Sequence, residues 1–577
     1  MKPSSAGSGS AQESIEALNR KLVDGIVKPL DLDASLDVAG MLKSLTAGLA
    51  QDTDHWLDLQ NRYYRRQLEL WAAYAGAQPE ATTAAAEPEP ADRRFRAQEW
   101  HSHPYFEYLA RSYLLTGEWL REAVDASKLE PQTKRKLQFF TRQFVDAMSP
   151  ANYPWSNPEA LKLAAETDGS SLAQGLRNLA ADLDKGMVSM TDDSAFEVGR
   201  NLAITPGAVI FENDFMQLIQ YRPATLKVFE RPLVMVPPCI NKYYILDLQP
   251  ENSFVRYAVE RGHTVFMVSW RNMPREMGRA SWDDYLEQGV IRALQVAAEA
   301  SGADKVNALG FCVGGTLLGS ALAVLRARES DAVASLTLLA TMLDFSDTGE
   351  LSVFVDEAYV AKREHDFAEG GLLHGRELAL TFASLRANDL IWHYVVNNYL
   401  KGRTPEAFDL LYWNADSTNL PGVMYAYYIR HMYLENNLQR PGKLTMCGTP
   451  VDLRRVDMPA YVLATREDHI VPWQTAYAST RLLGGKIQFV LSASGHIAGV
   501  INPASKNRRN FWLNAGLEQD GERWLAAAAP VPGSWWQHWA DWLGQYGGPE
   551  VEARSKPGGT TYREIEPAPG RYVKEKC

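Results

Sequence analysis

Cysteine is scarce in this sequence, with four among 577 residues. The four are scattered and form no C-x-x-C pair, lying at Cys239, Cys312, Cys447 and Cys577. This spacing argues against a zinc site and a disulfide framework, and it is typical of a reducing cytosol. We therefore expect a cytoplasmic protein without a metal site.

The sequence also has no run of about 18 apolar residues, so we expect no transmembrane segment. Its start, M-K-P-S-S-A-G-S-G-S, lacks the apolar core of a signal peptide. Positive charge is not in excess either, because the net charge is -11, which argues against nucleic-acid binding. An apolar content of 46% and a charged content of 22% are those of a soluble globular protein large enough for two or three domains.

The most informative stretch is K-V-N-A-L-G-F-C-V-G-G, residues 305–315. It predicts a short apolar strand, a turn at G-F-C-V-G, and a small-residue helix over about 316–328. The turn resembles the G-x-S-x-G nucleophile elbow of α/β-hydrolases, with Cys312 in the serine position. The Val313 N–H would then begin the helix and serve as one oxyanion donor. The alternative is a buried structural cysteine in a tight turn.

Strands and helices alternate from about residue 226. The runs R-P-L-V-M-V-P-P, H-T-V-F-M-V-S-W, K-V-N-A-L-G and S-L-T-L-L-A-T predict buried strands separated by helices. This pattern predicts a mostly parallel, doubly wound sheet. The loop after the first strand, residues 237–242, occupies the place of the second oxyanion donor, which we assign to the Ile240 N–H. Cys239 in the same loop is either a second thiol of the site or a packing residue.

Two later strands end beside candidate partners of Cys312. M-P-A-Y-V-L-A-T is followed by Asp468, and K-I-Q-F-V-L-S-A is followed by His496. The order nucleophile, acid, histidine is that of the α/β-hydrolase triad. His469 adjoins the acid and is a candidate for a supporting role.

The chain divides into three predicted parts. Residues 1–92 are predicted to hold an unstructured start, amphipathic helices and a linker at 79–92. The helices suit either a hairpin packed on the main domain or a surface for a partner or an apolar particle. Residues 93–200 are predicted to form a helical N-terminal domain and 201–577 a catalytic domain. Within the latter, 344–449 lose the alternation and are predicted to form a helical cap over the site.

At this point the chain closely resembles the polyhydroxyalkanoate synthases of the single-subunit class I type. The resemblance covers about 93–577 and departs from the family pattern at Met273, which separates S-W-R-N from the following proline. The motifs that carry it are G-F-C-V-G-G-T, P-P-C-I-N-K-Y-Y-I-L-D-L, G-H-T-V-F-M-V-S-W-R-N, N-D-L-I-W-H-Y-V-V-N-N-Y-L-K-G, E-D-H-I-V-P-W, S-G-H-I-A-G-V and I-E-P-A-P-G-R-Y-V-K.

The resemblance implies an acyltransferase that polymerises (R)-3-hydroxyacyl-CoA, above all 3-hydroxybutyryl-CoA, into polyester with release of CoA. The growing acyl group would sit on Cys312 as a thioester, which keeps it activated for the next hydroxyl. No cofactor is implied, since CoA arrives with the substrate. A homodimer at the surface of a polyester granule, with granule-associated proteins as possible partners, is also implied.

Asp468 has two possible roles in that chemistry. It orients His496, or it helps to activate the incoming 3-hydroxyl, in which case its loss slows elongation more than acylation. Two other functions also fit part of the pattern. A thioesterase or intracellular depolymerase would use the same triad with water, and a catalytically silent granule-surface protein would use only the N-terminal helices.

Overall fold

The computed structural model describes residues 48, 52–76 and 92–577 and divides them into two compact units. The helical unit comprises the described residues up to Asp192 together with Leu380–Glu406. The sheet unit comprises Asp193–Ala379 and Ala407–Cys577. The predicted unstructured start, most of the linker and the first N-terminal helices lie outside the described residues.

Of the helical N-terminal domain predicted for 93–200, the residues up to Asp192 lie in the helical unit. Proline occupies the first turn of three of its helices, where the missing N–H costs nothing, and Asn157 caps one of them by accepting from the Ala160 N–H at 3.0 Å. Its α-helices are Thr53–Tyr74, Glu99–Ser102, Pro104–Ala126, Pro131–Ala147, Pro158–Glu166 and Ser170–Lys185, with π-helical turns Asn388–Trp392 and Val395–Leu400.

The segment Leu380–Glu406, predicted as part of the cap, groups with the helical unit instead. Polar contacts with residues far away in the sequence explain this correction. The Asn388 amide donates to Asp146 Oδ1 at 2.6 Å, and the Tyr399 hydroxyl donates to Asp182 Oδ2 at 2.7 Å. Pairings of this kind leave no local pattern in the sequence.

Helix Thr53–Tyr74 packs on helix Pro104–Ala126 within the helical unit. Tyr63 stacks on Trp119 with ring centroids 4.9 Å apart, and its hydroxyl lies 3.1 Å from Thr116 Oγ1. Leu57, Tyr64, Leu68 and Trp71 lie along one exposed side of the first helix, and the partly exposed Tyr74 stacks on Tyr108 at 4.9 Å. The helix therefore packs on a helix of the predicted 93–200 domain and also presents exposed apolar side chains, while the other arm of the predicted hairpin lies outside the described residues.

The sheet unit contains seventeen strands, eleven of which form one large sheet. In chain order they are β1 Gly207–Glu212, β2 Met216–Tyr221, β3 Lys227–Phe229, β4 Leu233–Val236, β5 Val265–Trp270, β6 Val306–Phe311, β7 Val333–Leu339, β8 Leu372–Leu373, β9 Leu420–Pro421, β10 Thr445–Met446, β11 Thr449–Pro450, β12 Ala460–Thr465, β13 Ile487–Ser492, β14 Asn510–Leu513, β15 Ala529–Pro532, β16 Glu550–Glu552 and β17 Glu566–Pro567.

The large sheet has the order β15-β14-β13-β12-β7-β6-β4-β5-β2-β1-β17. Its six middle strands, β13 to β5, are parallel, and the strands beyond them at both edges are antiparallel. The middle strands are the six runs predicted from the sequence. Because they are parallel, the loops that follow β4, β6, β12 and β13 meet at one end of the sheet.

The remaining helices of this unit connect these strands or belong to the cap. Two of them include a π-helical turn: Trp282–Asp284 continues through Tyr285–Ile291 into Arg292–Ser301, and Gly422–Tyr428 continues into Ile429–Leu434. Helix Gly375–Leu385 begins in the sheet unit and ends in residues assigned to the helical unit. The others are Phe254–Glu260, Val313–Ala327, Glu357–Asp366, Asp409–Ala415, Trp473–Ser479, Gly521–Ala527 and Trp536–Gly544.

One feature differs from the sequence prediction. The antiparallel pair β1–β2 precedes residue 226, where the alternation was predicted to begin. Near the end of the chain, helix Trp536–Gly544 buries its tryptophans in the core, where Trp535 and Trp539 are fully covered. None of the helices in the described part of the chain combines the length and the hydropathy of a membrane-spanning segment.

Candidate active site

Cys312 stands at a strained turn between β6 and helix Val313–Ala327. Its φ of 52° and ψ of -128° lie in a region that residues with a side chain rarely adopt. The Cys312 N–H donates to the Leu339 carbonyl at 2.9 Å, which ties the turn to the neighbouring strand β7. The strain is therefore held by the sheet, and the half-buried sulfur lies at the helix N-terminus.

Two glycines allow the chain to pass through this turn. A Cβ on Gly310 would lie 2.4 Å from the Gly315 Cα, which crosses over it on the way into the helix. A Cβ on Gly314 would lie 2.3 Å from the Val236 carbonyl oxygen and 2.5 Å from that of Pro237. The elbow and the loop after β4 therefore touch through backbone atoms.

The loops after β12 and β13 bring Asp468 and His496 together. His496 Nδ1 lies 2.7 Å from Asp468 Oδ2, and both side chains are buried. Thr465 Oγ1 donates to the same carboxylate oxygen at 2.9 Å. The other oxygen, Oδ1, accepts from the N–H groups of Ile470 and Val471, each at 2.9 Å. Both oxygens of Asp468 are thus occupied by protein donors.

The charges in this group support one another. Burial opposes ionisation of Asp468, but the His496 charge and the hydrogen bonds to the carboxylate outweigh it and lower the Asp468 pKa. Burial likewise opposes a charge on His496, but Asp468 and then the Cys312 sulfur raise its pKa well above the usual range. The arrangement therefore favours an imidazolium at His496, held against the Asp468 carboxylate and close to the Cys312 sulfur.

One proposed oxyanion donor, Val313, begins the helix after Cys312, and the other, Ile240, lies in the loop after β4. Neither the Val313 N–H nor the Ile240 N–H donates to a protein acceptor within the part of the chain that is described. The Ile240 carbonyl, by contrast, accepts from the Thr418 N–H at 2.8 Å. Both N–H groups are thus left available for a ligand, as an oxyanion hole requires.

Cys239 is fully buried in the loop that carries Ile240. Burial, with a smaller effect of the nearby Cys312, raises the pKa of the Cys239 thiol to about 12. A neutral, covered thiol fits the packing alternative rather than a second nucleophile. His469 has an interaction of its own, and His496 Nδ1 contacts Asp468 Oδ2 directly at 2.7 Å.

Sequence reasoning missed two tyrosines of the cap. Burial and then the nearby Cys312 raise the pKa of Tyr433, and burial followed by Tyr433 and Cys312 raises that of Tyr428. Its ring packs edge-on against Tyr428 at 5.3 Å and Phe345 at 5.2 Å. Tyr433 lies in the π-helical turn Ile429–Leu434, a deviation that is frequent at functional sites. The sequence showed only that the cap is rich in tyrosine.

The chain is similar to known protein families and to individual proteins. A family model described as "Poly-beta-hydroxybutyrate polymerase (PhaC) N-terminus" matches residues 91–258, and one described as "alpha/beta hydrolase fold" matches residues 232–503. The second match confirms the predicted fold class.

Three similar proteins match over most of their length. The "Poly(3-hydroxyalkanoate) polymerase subunit PhaC" of Cupriavidus necator is 55% identical over 90% of this chain and 88% of its own. The protein of the same name from Rhizobium etli is 39% identical over 92% of this chain and 86% of its own. The "Poly(3-hydroxyalkanoate) polymerase" of Methylorubrum extorquens is 40% identical over 94% and 92%, respectively.

Proposed function

The chain belongs to the poly(3-hydroxyalkanoate) polymerase family, and on that premise we propose that it polymerises (R)-3-hydroxyacyl-CoA through an acyl thioester on Cys312. The observation that carries the proposal is the placement of Cys312 at the strained elbow, next to a His496 that is hydrogen-bonded to Asp468 at 2.7 Å. A nucleophile, a base and an orienting acid are the parts that acyl transfer needs.

Acylation begins when the Cys312 thiolate attacks the thioester carbonyl of the substrate. The negative charge that develops on the carbonyl oxygen is stabilised by the N–H groups of Val313 and Ile240. As the tetrahedral intermediate collapses, the bond to CoA breaks and the CoA sulfur takes the proton of His496. One thioester replaces another, so the acyl group remains activated.

Elongation uses the same groups in the reverse order. The 3-hydroxyl of the next monomer attacks the acyl-Cys312 carbonyl and passes its proton to His496. An ester bond forms, the bond to the Cys312 sulfur breaks, and the thiolate is regenerated to accept the lengthened chain from its CoA ester. Asp468 acts through His496 in both steps, because its two oxygens already accept from protein donors.

The finer features of this proposal concern the setting of the enzyme. We expect the reaction to need no metal or cofactor, because the thioester itself supplies the activation. We also expect a cytoplasmic homodimer at the surface of its polyester product. The exposed apolar face of helix Thr53–Tyr74 supports contact with such a surface or with a partner protein.

The test supplies the purified protein with (R)-3-hydroxybutyryl-CoA and follows free CoA with a thiol reagent, while the acyl product is separated as polymer or free acid. We expect CoA release with polymer, and Cys312→Ala should abolish both. Release of 3-hydroxybutyrate instead of polymer would favour the hydrolase alternative. Release at the wild-type rate by Cys312→Ala would remove Cys312 from the mechanism.

A further inference from the structure

The loop that carries Ile240, residues 237–242, has no regular secondary structure, yet distant parts of the sheet unit fix it at several points. At its start, the Pro237 carbonyl accepts from Trp270 Nε1 at 2.9 Å. In its middle, the Ile240 carbonyl accepts from the Thr418 N–H at 2.8 Å. At its end, the Lys242 carbonyl accepts from Trp413 Nε1 at 2.7 Å. A cap segment, residues 413–418, thus holds the backbone on both sides of Asn241.

The side chain of Lys242 is anchored from another direction. It is 3% exposed, and its ammonium donates to the Glu575 carbonyl at 2.6 Å. Burial lowers the Lys242 pKa, while the charge of Asp416 opposes that effect. Burying an ammonium costs free energy of desolvation unless the group is paired. The buried Lys242, two residues from Ile240, therefore needs an explanation beyond stability.

Asp416 links the same C-terminal segment to the cap. One of its oxygens pairs with Lys576 Nζ at 3.0 Å, and the other accepts from the Tyr244 hydroxyl at 2.9 Å. The Lys576 carbonyl accepts in turn from the Asn272 amide at 2.9 Å, just beyond β5. Residues 575 and 576 therefore connect the loop, the cap segment and the end of a central strand.

We propose that this support cluster, formed by Lys242, Asp416, Glu575 and Lys576, positions the Ile240 N–H for the oxyanion, and that Lys242 and Asp416 are positioning residues for acyl transfer. The inference rests on the proposed function, because it assigns Ile240 a role in that reaction. The first oxyanion donor, Val313, needs no such support, since it begins a helix whose approach is fixed by backbone contact at Gly314. The second donor lies on a loop, where a displacement of less than 1 Å weakens the interaction.

Lys242→Met tests the cluster most directly. Methionine has a similar length and no charge to bury, so the core loses an unfavourable group while the Glu575 carbonyl loses its donor. We expect kcat for CoA release from 3-hydroxybutyryl-CoA to fall by about 30-fold, less than the full loss of an oxyanion donor, with KM changed by less than about threefold. Lys486→Met is the matched control, because that lysine is exposed and directly precedes β13, outside the support cluster. Its activity should equal that of the wild type.

A second measurement separates positioning from general damage. Alkylation of Cys312 by iodoacetamide needs the thiolate but forms no oxyanion, so its rate in Lys242→Met should stay within about twofold of the wild type. Lys576→Met provides a variant of an exposed side chain, should Lys242→Met fail to fold. It should lower kcat by about threefold and leave the alkylation rate unchanged.

Three results would overturn the proposal: an unchanged kcat in Lys242→Met, a fall of kcat and alkylation by the same factor, or an unfolded Lys242→Met together with an unaffected Lys576→Met. Failure of the proposed function would look different. In that case the wild type itself would release no CoA from the substrate, although iodoacetamide would still label Cys312.

Discussion

Asp468 and Asp247 are both buried carboxylates of the sheet unit, yet their pKa values are shifted in opposite directions. Each has a buried side chain within a loop that follows a central strand. Burial alone would raise both pKa values, because the charged form loses its hydration. It prevails at Asp247, whose pKa rises from 3.8 to about 6, and it is overcome at Asp468, whose pKa falls.

The partners of the two carboxylates explain the difference. Asp468 accepts from four donors, one of which is the cationic His496. Asp247 accepts at Oδ1 from Thr205 and Ser253, and its Oδ2 has no hydrogen-bond partner among the described residues. A buried acid therefore stays ionised where the fold supplies donors and a counter-charge to both oxygens. The proposed catalytic acid has this environment, and Asp247 does not.

The largest effect is expected from removing the counter-charge. His496→Ala deletes the base for Cys312 and leaves Asp468 buried without its cation, in the situation of Asp247. We expect the initial burst of CoA to vanish and kcat to fall by about ten-thousandfold or more. Rapid-quench measurement of CoA would show this, with the exposed His365→Ala as the matched control. A burst of normal amplitude would show that the thiol needs no base.

Asp468→Asn removes the charge of the carboxylate instead of its cationic partner, and we expect kcat for CoA release to fall by about a hundredfold. The amide keeps the shape and an acceptor for Ile470 and Val471, but it carries no charge and presents N–H groups to His496. The imidazole would then lose both its orientation and its raised pKa. Because Asp468 acts through His496, acylation and elongation should slow by similar factors.

Rapid quench distinguishes this expectation from a direct role of Asp468 at the 3-hydroxyl. A direct role predicts a burst of CoA near the wild-type rate followed by poor chain extension. Such a result would mean that one Asp468 oxygen leaves its hydrogen-bond donors during elongation. The arrangement in which protein donors occupy both oxygens would then not be the one that acts in that step.

Asp247→Asn should change stability rather than chemistry. Between about pH 4 and pH 6 the folded chain retains the Asp247 proton that the unfolded chain has lost, so this group lowers the free energy of unfolding as the pH rises through that window. The asparagine variant cannot ionise at this position, so its free energy of unfolding does not include this pH-dependent loss. Relative to the wild type it should gain up to about 3 kcal/mol between pH 4 and pH 7.

Urea denaturation at the two pH values would measure that gain, and the exposed Asp541→Asn would serve as the control. Parallel changes in the wild type and Asp247→Asn would show that Asp247 titrates in the folded chain as it does in the unfolded one.

The sequence predicts the centre of the sheet and the triad candidates because their signals are local. The elbow motif contains its own strand, turn and helix, and Asp468 and His496 follow apolar runs that end at one edge of a parallel sheet. The edges were harder to predict. β15 contains two prolines, and proline in an apolar run argues against a strand. The β1–β2 hairpin has no helix between its strands, so it does not show the strand–helix alternation.

The contacts that decide the electrostatics are not local. Asp247 meets Thr205 from 42 positions away, and the Lys242 ammonium meets a carbonyl 333 positions away. Likewise, the assignment of Leu380–Glu406 to the helical unit depends on partners such as Asp146 and Asp182. Such pairings involve common polar residues without a fixed spacing, so a single sequence indicates which residues are polar but not which of them meet.

Cys239 extends the comparison to a third buried acid, with the smallest expected effect. Its thiol is fully covered and lies near Cys312, and its pKa rises to about 12 because burial penalises the thiolate, with a smaller effect of the nearby Cys312. Near neutral pH this thiol is therefore protonated and unreactive, whereas Cys312 stands at a helix N-terminus beside His496.

Cys239→Ala should accordingly keep CoA release within about twofold of the wild type, since it removes only a small packed side chain. Iodoacetamide should label Cys312 in the native chain and leave Cys239 unmodified, and peptide mass mapping after a short exposure would identify the labelled residue. A large loss of activity in Cys239→Ala, or labelling of Cys239 at a rate like that of Cys312, would mean that burial does not keep this thiol neutral. The distinction between ionised and neutral buried acids in the sheet unit would then rest on Asp468 and Asp247 alone.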